Sequence, residues 1–202
     1  VAEVPQRRRR RSPEAAVAEI LQAAEDFLRE RPFRELSVDE VMAATSLSRS
    51  SFYVYFRDRH DLLLRLIQEI GDALMQMADR WLTGTGDPRA DARDALEGLS
   101  SVYAEHGIVM RAIADAARVD PEVEQVYEGL IDRFVVANTA HIAEEIAAGR
   151  TPPMDPGETA RALVWASEAY LVRTLGSVPP RQPREQVVDT LSAIWVRVLY
   201  GE

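Results

Sequence analysis

Between Thr45 and Leu62 the sequence TSLSRSSFYVYFRDRHDL crowds four aromatic rings, three arginines and four serines into 18 residues. Guanidinium groups and hydroxyls bond phosphate oxygens and base edges, and small serines let a backbone come close to them. The chemistry these residues suit is recognition of nucleic acid. Groups for bond-making are harder to find. Cysteine is absent, which removes disulfides, thiol nucleophiles and thiolate metal sites. His60, His106 and His141 lie far apart with no HxxxH or HExxH spacing, so no metal site and no cofactor is expected. Glu105, Asp115 and Glu168 have no paired spacing and read as charges on the solvated faces of amphipathic helices, so the chain is not expected to be an enzyme.

The charge balance qualifies this reading without opposing it. The 202-residue chain carries a net charge of −9, yet residues 1–60 hold 11 Arg against 10 acids while the remainder holds 13 against 23. A net-acidic protein can still present a local DNA-binding face. All 24 basic residues are arginine, a bias that points to a GC-rich bacterial genome. No apolar run approaches the roughly 18 residues of a membrane span, and the arginine-rich start lacks the apolar stretch of a secretory signal, so a cytoplasmic protein is expected.

The elements that must position these residues are all helical, because apolar residues recur at three- and four-residue spacing and no sustained alternation marks a strand. Ser12 and Pro13 announce a first helix with Ile20, Ala24, Phe27 and Leu28 on one face. ERPFREL ends it, and SVDE then forms a capping box, Ser37 accepting from a backbone N–H and Glu40 returning the bond, for a short helix over about 38–44. TSLS turns the chain, and Ser48 caps a third helix to about Tyr55. A long helix over about 59–82 follows, then helices at about 88–106, 108–117, 122–148, 156–175 and 184–200, with Gly- and Pro-rich breaks at 149–156 and 176–183.

Two short helices joined by a tight turn form a helix-turn-helix, whose second helix enters the major groove. At about 100° per residue, Phe52 and Phe56 share the face turned to the first two helices, while Ser50, Tyr53 and Val54 point elsewhere. Seven residues at about 1.5 Å each give roughly 10 Å, comparable with the groove width of about 12 Å. Arg49 suits a guanine edge or a phosphate, Val54 a thymine methyl, and the Tyr53 and Tyr55 hydroxyls phosphate oxygens. Arg59, at the next helix start, adds charge for phosphate. With Ser37, Ser48, Ser50 and Ser51 these are the expected DNA-binding residues. The arginine run 7–11 reads as a basic disordered arm over residues 1–11 that tracks phosphates, or equally as a solvated tail.

The segment LSVDEVMAATSLSRSSFYVYFRDRHDLL resembles the N-terminal signature of the TetR family of bacterial transcriptional repressors, with Tyr53-Val54-Tyr55-Phe56 at its recognition-helix end and Arg59 where a Lys is usual. That resemblance implies an all-α protein with a helix-turn-helix DNA-binding domain at 12–58 and a ligand-binding and dimerisation domain at 59–202. It implies a homodimer through the last two helices. On them Leu163, Ala166, Tyr170 and Thr174, and Val187, Leu191, Ile194, Val198 and Leu199, make apolar faces that would equally suit a monomer's core. The EVEQVY and VVDTLSAIWVRVLYGE segments resemble one member of the family. Carried over from it, the lining of a pocket for a small hydrophobic ligand is Val102, Tyr127, Ile131, Phe134, Asn138, Val164, Ser167 and Trp195. Val102 stands where a Phe is usual there, and Val164 and Ser167 stand at asparagine positions. Met75, Met77 and Trp81 either line the pocket floor or simply pack. The expected function is a repressor that binds double-stranded operator DNA and is released by ligand. A helical protein-interaction module without specific DNA binding is the alternative.

Overall fold

The computed structural model describes residues 12–84 and 86–201. The proposed basic arm therefore lies outside the described residues. Among those described there are eight α-helices and one 3-10 turn, with no strand: α1 Pro13–Glu30, the turn Phe33–Glu35, α2 Val38–Ala43, α3 Arg49–Tyr55, α4 Arg59–Thr83, α5 Pro88–Ala117, α6 Pro121–Ala147, α7 Pro156–Leu175 and α8 Arg184–Tyr200. No helix among them is long and apolar enough to cross a membrane.

Local chemistry explains most boundaries. Ser12 Oγ accepts from Ala15 N at 3.3 Å and Pro13 opens α1. Three helices begin at Asp-Pro pairs, where Asp87, Asp120 and Asp155 accept first-turn N–H groups and the following Pro occupies a position whose N–H needs no helical partner. Asp58 does the same for α4, accepting from His60 N at 2.8 Å and Asp61 N at 2.9 Å. The capping box is half realised. Ser37 Oγ accepts from Glu40 N at 3.3 Å, but Glu40 takes the Ser37 hydroxyl and the Arg31 guanidinium rather than the Ser37 backbone N–H.

Two expectations need correction. Residues 88–117 form one helix, not two, and Gly107 lies inside it for a packing reason: a Cβ there would sit 2.9 Å from the Leu175 carbonyl oxygen. Ser48 occupies the position before α3 but makes no backbone cap; its hydroxyl lies 2.9 Å from those of both Ser50 and Ser51.

Helix α5 is the hub, packing on α1, the 3-10 turn, α4, α6, α7 and α8. The α1 face is as expected, with Ile20, Ala24 and Leu28 buried and Phe27 partly so. Helix α4 links the two ends of the molecule. It packs on α1, α5 and α6, with Leu62, Leu63 and Leu66 buried in its first half and Leu74, Ala78 and Trp81 buried in its second.

Candidate DNA interface and ligand cavity

At the N-terminal end, α1 to α3 pack around Phe52, which is fully buried, and Phe56, 4% exposed, their ring centroids 5.3 Å apart. That anchoring turns the opposite side of α3 outward: Val54 is 73% and Tyr53 54% exposed, with Ser48, Arg49 and Ser50 also on the surface. The Tyr53 ring meets Phe52 edge-on at 5.3 Å, which holds its hydroxyl away from the core. Tyr55 and Ser51 are half-buried.

The turn before α3 is tied down by hydroxyls and one carboxylate. Thr45 Oγ1 donates to Met42 O at 2.9 Å and accepts from Leu47 N at 3.2 Å. Glu19 of α1 accepts from both Ser46 N, at 2.6 Å, and Ser46 Oγ, at 2.7 Å. Arg49 pairs with Asp39 of α2 at 2.9 Å, an exposed contact that orients its guanidinium without removing it from water.

Two histidine–carboxylate pairs join this end to the rest. His60 Nε2 is 2.8 Å from Asp120 Oδ2, the same carboxylate that caps α6 through its other oxygen. His106 Nδ1 of α5 is 2.5 Å from Oε1 of the buried Glu25 of α1, which also accepts from Arg29 at 2.7 Å. Burial pushes the Glu25 carboxyl up, but bonds to His106 and Arg29 outweigh it and hold the group below the usual carboxylate range. The same bond to Glu25 raises His106 against the effect of its burial.

A cavity enclosing about 80 Å³ of space for water-sized groups lies between α4, α5, α6, α7 and α8. Its wall is almost wholly apolar. Trp81 Nε1 donates to Asn138 Oδ1 at 2.8 Å, Asn138 Nδ2 donates to Phe134 O at 2.9 Å, and Trp195 Nε1 donates to Ser167 Oγ at 2.9 Å. The two indoles meet edge-on at 5.9 Å. On the α7 wall the Tyr127 hydroxyl donates to Glu168 Oε1. Burial raises the Glu168 carboxyl, only partly offset by that bond and by Arg173.

The comparisons agree at both ends of the chain. Residues 20–66 match the model of bacterial regulatory proteins of the tetR family, and residues 92–201 match the C-terminal domain of the transcriptional regulator EthR. The HTH-type transcriptional regulator EthR of Mycobacterium tuberculosis is 30% identical over 210 residues, covering 100% of this chain and 95% of that protein. The EthR of Mycolicibacterium smegmatis is 30% identical over 190 residues, covering 91% and 86%.

The chain belongs to the TetR family.

Within the TetR family the backbone is also similar to that of a solved regulator from Syntrophomonas wolfei, with a TM-score of 0.79 at 15% identity over 92% of this chain and 95% of that one. Salmonella enterica GusR gives 0.78 at 17% identity over 94% and 98%. These two likenesses speak to fold alone. The TetR-family framework brings together seven of the eight residues expected to line a pocket: Tyr127, Ile131, Phe134, Asn138, Val164, Ser167 and Trp195. Val102 is not among them; it packs on the core while its neighbour Tyr103 faces the cavity. One residue along a helix turns a side chain by about 100°, so a single-position error in the carry-over suffices. Trp81 lines the cavity, whereas Met75 and Met77 do not. Glu168, read as solvated, stands in the wall; its spacing of one helical turn from Val164 and Leu171 was the available signal.

Among the expected DNA-binding residues, Ser37 is occupied in capping α2. Arg59 donates to Arg34 O and Leu36 O, both at 3.2 Å, and its guanidinium lies 5.3 Å over the Phe33 ring, so it braces the 3-10 turn against α4. The outward surface of α3 is left to Ser48, Arg49, Ser50, Tyr53 and Val54.

Proposed function

We propose that this TetR-family regulator is a cytoplasmic repressor that binds operator DNA as a homodimer and is released when a small hydrophobic ligand fills the cavity. The observation that carries it is the division of α3: Phe52 is wholly buried while Tyr53 and Val54, the next two residues, are more than half exposed. Apolar and aromatic side chains cost free energy in water, and here a short helix holds them outward beside serines and an arginine. Residues 12–58 act as the DNA-binding head and residues 59–202 as the ligand and dimerisation core. Arg49, Tyr53, Val54 and the α3 serines make the contacts, Tyr55 bonds phosphate from the rim, and Ser37 and Arg59 position the helices that carry them.

Exposed Trp165 of α7 and Ile194 and Val198 of α8, at 54%, 45% and 42%, support the homodimer. Helix α4 supports the coupling, since it runs from the head to the cavity wall. A ligand larger than the present cavity must push its walls apart, moving α4 and the spacing of the two recognition helices. It then lowers DNA affinity by its preference for that state. The EthR relatives are regulators, and catalysis has no role in this reading.

The test is fluorescence anisotropy on the intergenic DNA beside the gene, against scrambled DNA, at two salt concentrations. Selective binding lost in Tyr53→Ala supports the repressor. Equal, steeply salt-dependent binding to both DNAs would count against operator recognition there, and no binding at low salt would favour an interaction module.

A further inference from the structure

The cavity wall contains one side chain that is out of place in it. Among the described residues that line the cavity, Glu168 is the only one that can carry a negative charge near neutral pH, and no Arg or His lines the space with it. Its Oε1 accepts the Tyr127 hydroxyl, and among the described residues no donor reaches Oε2. Beside it stands Tyr103 of α5, 5% exposed and facing the same space, whose hydroxyl has no hydrogen-bond partner among the described residues. The two sense each other: the Glu168 charge opposes ionisation of both Tyr103 and Tyr127. A half-buried carboxyl with no cation beside it in the lining, near the buried Tyr103 ring, sets a negative charge at one edge of an otherwise apolar space.

Resting on the ligand-release reading, we propose that the cavity selects small apolar molecules bearing a basic amine, the ammonium group meeting Glu168 and the Tyr103 hydroxyl while the hydrocarbon body lies against Trp81, Phe134 and Trp195. An ammonium supplies the charge and the donors that the carboxylate lacks, and a pair formed in a water-poor space is stronger than one at the surface. A carboxylic acid ligand would bring a second negative charge to the same edge, and a pure hydrocarbon would offer Glu168 no cation and the Tyr103 hydroxyl no partner. The charged and titratable groups bearing on Glu168 are Tyr127 from α6, Tyr103 from α5 and Arg173 from its own helix. Arg173 is exposed and its Nη1 lies 3.4 Å from the Ala169 carbonyl, so it screens Glu168 from outside without entering the cavity.

The experiment compares cyclohexylmethylamine, cyclohexylmethanol and methylcyclohexane, matched in shape, by calorimetry and by the fluorescence of Trp81 and Trp195, on wild type and Glu168→Gln. The amine is expected to bind at least tenfold more tightly than the alcohol to wild type, and the gap is expected to close in Glu168→Gln while the alcohol binds both alike. Amine and alcohol of equal affinity on wild type would overturn the proposal even if the variant failed to fold. A gap that persists in a folded Glu168→Gln would overturn it too. In either case, binding of all three with a tryptophan response leaves the hydrophobic-ligand reading intact, whereas no binding of any removes both. Release of operator DNA by the bound amine is scored separately, so a bound but non-releasing ligand counts against the repressor mechanism and not against the chemical class.

Discussion

Single side chains divide here into those that hold the structure and those left free to meet a partner. Arg49 keeps its guanidinium in water beside Asp39. Arg49→Ala is expected to weaken operator binding and relax base choice at one position, by about 1–3 kcal/mol for the correct base, whereas Tyr53→Phe weakens all sequences alike. Equal loss for Arg49→Ala on every sequence in a competition assay would exclude base readout. Inside, Asn138→Ala leaves the buried Trp81 N–H without an acceptor and should cost about 1–3 kcal/mol. Chemical denaturation of the ligand-free protein measures it, and a change under a few tenths would mean that water or a shifted indole takes up the bond. Asn138 was legible as a polar group on a core-facing helix; that its role is to hold an indole was not, because the partner is 57 residues away.

At the scale of elements, helix ends were read well where a side chain signals its own turn and poorly where the signal is long-range. Asp-Pro pairs place the starts of α5, α6 and α7 within a residue of expectation. Ser48 misled because neighbouring serine hydroxyls compete for its oxygen. Its substitution by Ala should therefore cost only a few tenths of a kcal/mol in stability, against about 1 kcal/mol for Asp58→Ala, which removes a cap that accepts two N–H groups. Thermal melts of the two variants compare them directly. Gly107 misled in the other direction. Helix propensity favours Ala over Gly by about 1 kcal/mol, yet Gly107→Ala should lower the melting temperature because its Cβ meets the backbone at Leu175 and Gly176. A higher melting temperature would show that the α7 end can retreat without loss.

For the whole molecule, the joint between head and core rests partly on a histidine. His106 is raised by its bond to Glu25, so its contribution is complete below its unfolded value of about 6.5 and is lost as pH rises through the folded value. Glu25 is lowered, so its contribution is present above about 4.5 and is lost as pH falls through the folded value. Both act together between about pH 4.5 and 6.5. Arg29 opposes the His106 charge and Glu105, 3.8 Å away, favours it. The melting-temperature difference between wild type and His106→Gln should be widest near pH 6 and shrink by pH 9; a constant difference would mean that packing, not charge, is what His106 contributes. At the other end, Ile194→Glu is expected to yield monomers in sedimentation and to lower operator affinity, since two half-sites need two heads. The α8 stripe Val187, Leu191, Ile194, Val198, Leu199 read as one face. It is divided in the fold, with Val187, Leu191 and Leu199 buried against the chain's own core and Ile194 and Val198 outward.

The sequence by itself determined the all-helical class, the helix-turn-helix and the family, because apolar periodicity, helix caps and a contiguous signature are all local properties. Tertiary structure alone decided which side chains those helices bring together: Tyr103 in place of Val102, Glu168 inside a wall, Glu25 against His106 across 81 residues. Periodicity states that a face is apolar, but the crossing of five helices selects which rotation of each meets the cavity. That selection is made by packing between segments distant in the chain.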